Sequence, residues 1–401
     1  MNILFLYTSY IDPTKGGVQR VTRVLADFFE SEGNNVFFLS LKKPNDVENI
    51  DQRQYFVPES KRFNTNANII FFGTFIANHN IDIVINQGGL GKDCSALANY
   101  SNKFGALEIS VLHNSPLASI IHFSSSRKDI FKKYHLELFL LLTDYKWIKQ
   151  LILNLYRLKY QSHFRHLYKY SNIVVLLSEN FRNEFSFLVG CELDNKKIIA
   201  IPNPCSFQLK NDTIDVNKQN TVLYVGRIDF SQKRIDLLIN IWNQLYKDYS
   251  DWNLEIVGEG PDLEKAKGIV KTLGCERISF EGRQDPEKYY RKASILCMTS
   301  SFEGFPLVLV EAQTYGVVPV AFNSFSSVTD VINNGETGFL VEPFNVESYV
   351  GVLSDLISNN NLLRSISKNC KKSANRFELG DIGNQWLELF ETALRENNDK
   401  Y

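Results

Sequence analysis

Cysteine is sparse and scattered in this chain: the six, at positions 94, 191, 205, 275, 297 and 370, form no C-x-x-C pair. That dispersal disfavours a zinc site and a disulfide framework, and it suits a reducing compartment. A long hydrophobic run is missing too. Spanning a bilayer takes about 18 or more apolar residues, and the nearest approach, 136–158, is broken by Asp144, Lys146, Lys149 and Arg157. Met1 leads directly into Ile3-Leu4-Phe5-Leu6-Tyr7, too short and too uncharged a start for a signal peptide, so the expected location is the cytoplasm. Charge of one sign is absent as well: 44 basic residues stand against 45 acidic ones, which gives no global reason to expect nucleic acid as a partner. The G-x-G-x-x-G dinucleotide fingerprint is also missing after the first strand, which disfavours NAD.

What is present is an alternation of short apolar runs and helical stretches. The runs Ile3–Tyr7, Val36–Leu39, Ile81–Ile85, Ile109–Leu112, Ile173–Leu177 and Ile198–Ile201 read as buried strands. Between the first two, Val21, Val24, Leu25, Phe28 and Phe29 fall at helical spacing. Such an alternation implies parallel βαβ units. It breaks around Ile201-Pro202-Asn203-Pro204 and a polar segment, then resumes with strands expected at Val222–Val225, Leu254–Val257, Ile278–Phe280, Ile295–Met298 and Val317–Ala321. At 401 residues two domains are expected, since single cores stop growing at about 250 to 300 residues. The divisions are 1–204, 205–376 and a tail, 377–401, whose stripe of Ile382, Trp386, Leu389, Phe390 and Leu394 predicts a helix returning to the first domain. Ligands of doubly wound sheets bind beyond the carboxyl ends of the strands, so the cleft between the two domains is the expected site.

Two glutamates, Glu303 and Glu311, frame the stretch Glu303-Gly304-Phe305-Pro306-Leu307 through Glu311. A helix starting here places Pro306 at its first position, where the missing N–H costs nothing. The helix start, with its free N–H groups and positive dipole end, suits a phosphate. Glu311 follows an apolar run and needs polar partners, and a ribose with two donating hydroxyls fits. A single snorkelling glutamate beside an exposed loop is the alternative. Val225-Gly226-Arg227 and Lys233 put two cations at a strand's carboxyl end, where a diphosphate would take a fork from Arg227 and a point charge from Lys233. As an isolated doublet they would be ordinary surface cations. Gly258-Glu259-Gly260-Pro261 and Gly282-Arg283 read as turns on the same edge. In the first half, Gly16-Gly17 permits close backbone approach to a ligand, and His113 ends the strand Ile109–Leu112. The stretch 127–170 carries ten Lys or Arg against three acidic residues, with Phe131, Tyr134, Trp147, Leu151 and Tyr156 interleaved. That composition suits anionic lipid headgroups, or else a pair of helices covering a core.

Together, Gly16-Gly17, His113, Gly226-Arg227 with Lys233, the turn at Gly258, the E-x7-E element from Glu303 to Glu311 and Asn334-Gly335-Glu336-Thr337-Gly338 resemble glycosyltransferase family 4. The resemblance implies the GT-B fold, an α/β architecture of two Rossmann-like doubly wound domains facing across a cleft, the first taking the acceptor and the second the nucleotide-sugar. It implies a retaining hexosyltransferase using a nucleotide-sugar, UDP-linked by expectation, with a glycan or lipid-linked acceptor in surface polysaccharide biosynthesis. Arg227 and Lys233 would hold the donor diphosphate, Glu311 the ribose, and Glu303 the transferred sugar, with His113 touching that sugar. Backbone near Gly304, Phe305, Pro306 and Leu307 would help, alongside Gly16, Gly17, Gly258, Gly282 and Arg283. No cofactor and no metal are expected, and the chain has no D-x-D triplet. Peripheral association with the inner face of the cell membrane through 127–170 fits a lipid-linked acceptor. Lys233 is followed by Arg234 where the family often has glycine. The competing expectations are an epimerase of GT-B-like fold and a non-catalytic sugar-nucleotide binding protein.

Overall fold

The computed structural model describes residues 1–44, 50–118, 120, 145–207 and 218–398. The first part of the basic aromatic stretch, 127–144, lies outside these residues, as does most of the polar segment after Pro204. The chain divides into two compact units, one comprising 1–116, 154–206 and 377–401, the other 117–153 and 207–376.

In the first unit the order is β1 (Asn2–Ser9), α1 (Gly17–Ser31), β2 (Asn35–Lys42), β3 (Gln54–Phe56), α2 (Asn66–Asn78), β4 (Ile83–Asn86), α3 (Lys92–Ala98) and β5 (Leu107–Leu112). Helix α4 (Lys146–Tyr170), which belongs to this unit from Asn154 onward, then precedes β6 (Ile173–Leu176), α5 (Phe181–Val189) and β7 (Ile198–Ala200). The sheet runs β3-β2-β1-β4-β5-β6-β7, with every neighbouring pair parallel. Strands buried on both faces read as near-continuous apolar runs: Ile3-Leu4-Phe5-Leu6 and all of β4 and β5 are buried, including the polar Asn86, Glu108 and Ser110. β1 is longer than its apolar run because ladder bonds carry it to Ser9, opposite Lys42. Phe29 of α1 stacks over Phe5 at 6.3 Å.

The second unit follows the same plan. It contains β8 (Thr221–Val225), α6 (Ile235–Leu245), β9 (Asn253–Val257), α7 (Leu263–Leu273), β10 (Ile278–Gly282), α8 (Glu287–Lys292), β11 (Ile295–Met298), α9 (Leu307–Thr314), β12 (Val318–Phe322) and β13 (Phe339–Val341). Two further helices follow, α10 (Val346–Ser358) and α11 (Asn360–Ala374). The sheet order is β10-β9-β8-β11-β12-β13, again parallel. The chain works outward from β8 to β10 and then returns to β11 on the other side of β8, so the strand order reverses between β8 and β11. In the first unit it reverses between β1 and β4. Those switch points are where doubly wound sheets open a crevice.

The final helix, α12 (Leu379–Asn398), belongs to the first unit and lies on α1. Phe390 meets Phe29 edge-on at 5.3 Å, and Gly383 gives room to Phe28, whose ring would stand 2.2 Å from a Cβ there. The expectations drawn from the sequence do not include β3, β13, α2, α10 or α11. The strands are three residues each, and the helices announce themselves by caps instead: Thr65, Asn345 and Asn359 accept from the N–H of Asn68, Ser348 and Leu362.

Candidate active site

Three loops leave the carboxyl ends of β8, β9 and β10 side by side, and their backbones continue the ladder. Gly226 N–H donates to Val257 O (3.0 Å), Ile228 N–H to Glu259 O (2.9 Å) and Gly258 N–H to Gly282 O (2.8 Å). Gly258 is dictated by this seam: φ is 144°, and a Cβ would fall 1.9 Å from Gly226 O. The protein's own packing therefore accounts for Gly258 whether or not a ligand lies against it. Arg283, just past β10, is exposed.

The β8 loop is then fixed by Asp229. Its Oδ1 accepts from Ser231 N–H (2.9 Å), Ser231 Oγ (2.7 Å) and Gln232 N–H (2.7 Å). Burial acts to raise this carboxyl, but the Gln232 amide, the Ser231 hydroxyl and the nearby Arg227 outweigh it and hold it below the usual carboxylate value. Arg227 reaches back to Asp229 Oδ2 (3.2 Å) and Gln232 Oε1 (3.0 Å), yet its side chain remains largely exposed. Gln232 also ties this loop to the one after β11, donating to Phe302 O (3.1 Å) while its carbonyl accepts from Ser301 N–H (2.7 Å).

That stitching brings Lys233 to Glu303. The ammonium lies 2.6 Å from Glu303 Oε1, and both side chains are largely buried. The two residues are 70 apart in sequence and meet because β8 and β11 are neighbours at the switch point. A short charge-assisted bond of this kind needs its remaining polar positions met to offset desolvation, and a polar ligand at its mouth would do so. Arg234, where the resemblance leads one to expect glycine, adopts the left-handed conformation that glycine favours (φ 51°, ψ 45°). Asp236 holds its guanidinium through two bonds (3.2 and 3.1 Å), and the Phe344 ring lies 5.4 Å beneath it. Thr299 Oγ sits 3.0 Å from both the Lys233 and the Arg234 carbonyls.

The helix after Glu303 departs from the sequence expectation by one residue. Pro306 is the cap of α9, not its first helical residue, because its ψ of 72° is not helical. Two amides at this helix start are also not free: Leu307 N–H closes onto Phe305 O and Leu309 N–H onto Pro306 O, each at 2.9 Å. Gly304 is anchored through its carbonyl by Ser327 Oγ, and Phe305 and Leu307 are buried. Glu311 has no accessible surface (0%), whereas Glu303 keeps 8%. Tyr290 Oη donates to Glu311 Oε2 at 3.0 Å, and Tyr290 in turn stacks on Tyr315.

In the first unit, His113 leaves β5 and pairs through Nε2 with the side chain of Gln87, which leaves the neighbouring β4. Burial pushes the imidazole down to about 4, so it is neutral at pH 7, and its Nδ1 has no hydrogen-bond partner. Gly16 caps α1 in an extended conformation. A Cβ on Gly17 would touch nothing in the protein, so internal packing does not demand glycine there. Gln87, Asp229, Gln232, Thr299 and Tyr290 were not singled out from the sequence. Of these, Asp229-Phe230-Ser231 carries a local signal, the Asx turn; the others act through contacts between distant segments. Among the described residues, no group of three or more His, Cys, Asp or Glu could hold a metal ion.

Two Rossmann-like parallel-sheet units closed by a final helix define the GT-B class, and the solved structures that share this fold along the chain are GT-B glycosyltransferases. Residues 207–373, which carry the Lys233–Glu303 pair, match the family model for glycosyl transferases group 1. An uncharacterized glycosyltransferase of Haemophilus influenzae is 37% identical over 191 residues, 47% of this chain and 54% of that protein. A lipopolysaccharide 1,6-galactosyltransferase of Salmonella typhimurium is 34% identical over 149 residues, 35% of this chain and 41% of that one. The chain thus spans about half the length of these curated relatives. Anabaena HepE, solved in complex with UDP-glucose, superposes with a TM-score of 0.69 at 15% identity, covering 98% of this chain and 100% of that one.

Proposed function

We infer that the chain is a retaining glycosyltransferase of family 4, moving a hexose or N-acetylhexosamine from a UDP-sugar to a glycan or lipid-linked acceptor in the assembly of a surface polysaccharide. The observation that carries this reading is the Lys233–Glu303 pair at the switch point between β8 and β11, with Arg227 exposed on the same loop. The group 1 match over this unit and the polysaccharide-related names among the relatives support it.

In the reaction, the bond from the anomeric carbon to the diphosphate oxygen breaks and a bond from that carbon to the acceptor oxygen forms on the same face. The acceptor's proton passes to the departing diphosphate. Negative charge grows on the diphosphate as it leaves, and Lys233 and Arg227 are fixed cations where that charge would develop. Glu303, held by Lys233, keeps one carboxylate oxygen for the sugar hydroxyls. His113, neutral at pH 7, can share a hydrogen bond with a sugar hydroxyl but cannot supply a positive charge. Glu311 is fully buried and already accepts from Tyr290 Oη, so its part in holding a ribose requires Tyr290 to give way when the donor enters.

Lys233→Ala is expected to lower the transfer rate about tenfold to a thousandfold, the scale set by losing one preorganised group at a developing oxyanion. The assay is turnover of a panel of nucleotide sugars, with slow hydrolysis scored where the acceptor is unknown and the anomeric outcome followed by NMR. Unchanged turnover in both Lys233→Ala and Glu303→Gln would remove the site. Interconversion of the donor sugar without transfer would make the protein an epimerase.

A further inference from the structure

At the amino ends of the second unit's strands, away from Lys233 and Glu303, lies an open cavity of about 850 Å³. Asn220, Ser294 and Gly316, which precede β8, β11 and β12, form one wall, and α11 forms another. The described lining carries four cations, Lys218, Arg364, Lys368 and Lys371, against a single carboxylate, Asp251. Asp251 already accepts from Asn220 Nδ2 at 2.6 Å.

Arg364, Lys368 and Lys371 fall at i, i+4 and i+7, so they share one face of α11. Like charges at that spacing destabilise a helix unless something negative lies across them. At 1.5 Å per residue they span about 10 Å, more than one phosphate can bridge and a fair match to a short chain of them. From the sheet side, Lys218 donates to Tyr290 O at 2.8 Å. Burial, and then the neighbouring Lys371, push the Lys218 ammonium down to about 7.

We propose that this cavity binds a small anion bearing two or more linked phosphate groups, at a site separate from the one that holds Lys233 and Glu303. The cations on α11 grip successive phosphates, and Lys218 closes on the anion from the edge of the sheet. The test is calorimetric titration of the full chain with tripolyphosphate and, separately, with orthophosphate, in the wild type, in R364E/K368E and in K233A. Tripolyphosphate is expected to bind the wild type at least about tenfold more tightly than orthophosphate, since each added charge-assisted contact of about 1.4 kcal/mol is worth a factor of ten. R364E/K368E should weaken the tighter of any tripolyphosphate events by about tenfold or more while leaving UDP binding unchanged, and K233A should leave that event intact, removing only what binds where the donor diphosphate lies. If the charge reversals unfold the chain, R364Q/K368Q, which keeps the side chains' length, carries the same expectation. No preference for tripolyphosphate over orthophosphate overturns the proposal, as does binding that is lost in K233A or retained in both α11 double variants.

Discussion

Arg234 pays for its place with backbone conformation. A residue with a Cβ in the left-handed region costs about 1 to 2 kcal/mol, and here the outlay is met by contacts of its side chain: two bonds to Asp236 and the face of Phe344. The turn it makes aims Lys233 at Glu303. Replacing Arg234 by alanine removes those contacts and keeps the backbone cost, whereas glycine removes both. Arg234→Gly should therefore be more stable than Arg234→Ala by about 1 kcal/mol in urea unfolding. Equal stabilities would mean that the left-handed turn is not maintained at this position.

Helix α4 poses its question as a whole element. Trp147, Leu151, Leu155 and Leu158 lie at i, i+4, i+8 and i+11, one stripe of the helix, and all are exposed, Trp147 at 67% and Leu158 at 73%. Lys159 borders it, and Lys146 and Lys149 lie in the same first turns of the helix. An apolar stripe on a helix rich in cations suits the headgroup layer of an anionic bilayer, and no described helix is long and apolar enough to cross a membrane. We expect the protein to float with phosphatidylglycerol-containing liposomes at low salt and to be released by high salt. Leu151→Glu with Leu155→Glu should keep it in the soluble fraction while turnover of a water-soluble acceptor is unchanged. Equal partition of the two proteins would assign the stripe some other partner.

At the scale of the whole molecule, stability should carry a signature of the first unit's core. Glu108 on β5 has no accessible surface, and burial pushes its carboxyl up to about 7 despite the Ser110 hydroxyl that donates to its Oε1, neighbouring polar groups and the charge of Lys197. The unfolded value is near 4.5. Below that value both states hold the proton and the group is neutral to stability. Between it and about 7 the folded state keeps a proton that the unfolded chain has lost, so unfolding becomes progressively easier as pH rises, by a total on the order of 3 kcal/mol, and the penalty is then constant. Glu108→Gln should accordingly raise the melting temperature more at pH 8 than at pH 5. A gain of the same size at both pH values would show that ionisation of Glu108 is not the cause.

The sequence by itself determined the alternation of strands and helices, because a strand buried on both faces must be continuously apolar and a helix on a sheet must be apolar at every third or fourth residue. It also placed His113 and Arg227 at strand ends, since each follows such a run within two residues, and Lys233 and Glu303 in the connections just beyond two such runs. It did not reveal the short strands β3 and β13, where ladder bonds to a neighbour, not composition, make the strand. Only the tertiary structure decided which of the marked residues meet. The return of the chain from β10 to β11 puts Lys233 against Glu303, and the Tyr290 hydroxyl from α8 reaches Glu311 on α9. Those pairings depend on strand order, and strand order is set by contacts between segments far apart in the chain, which no local pattern records.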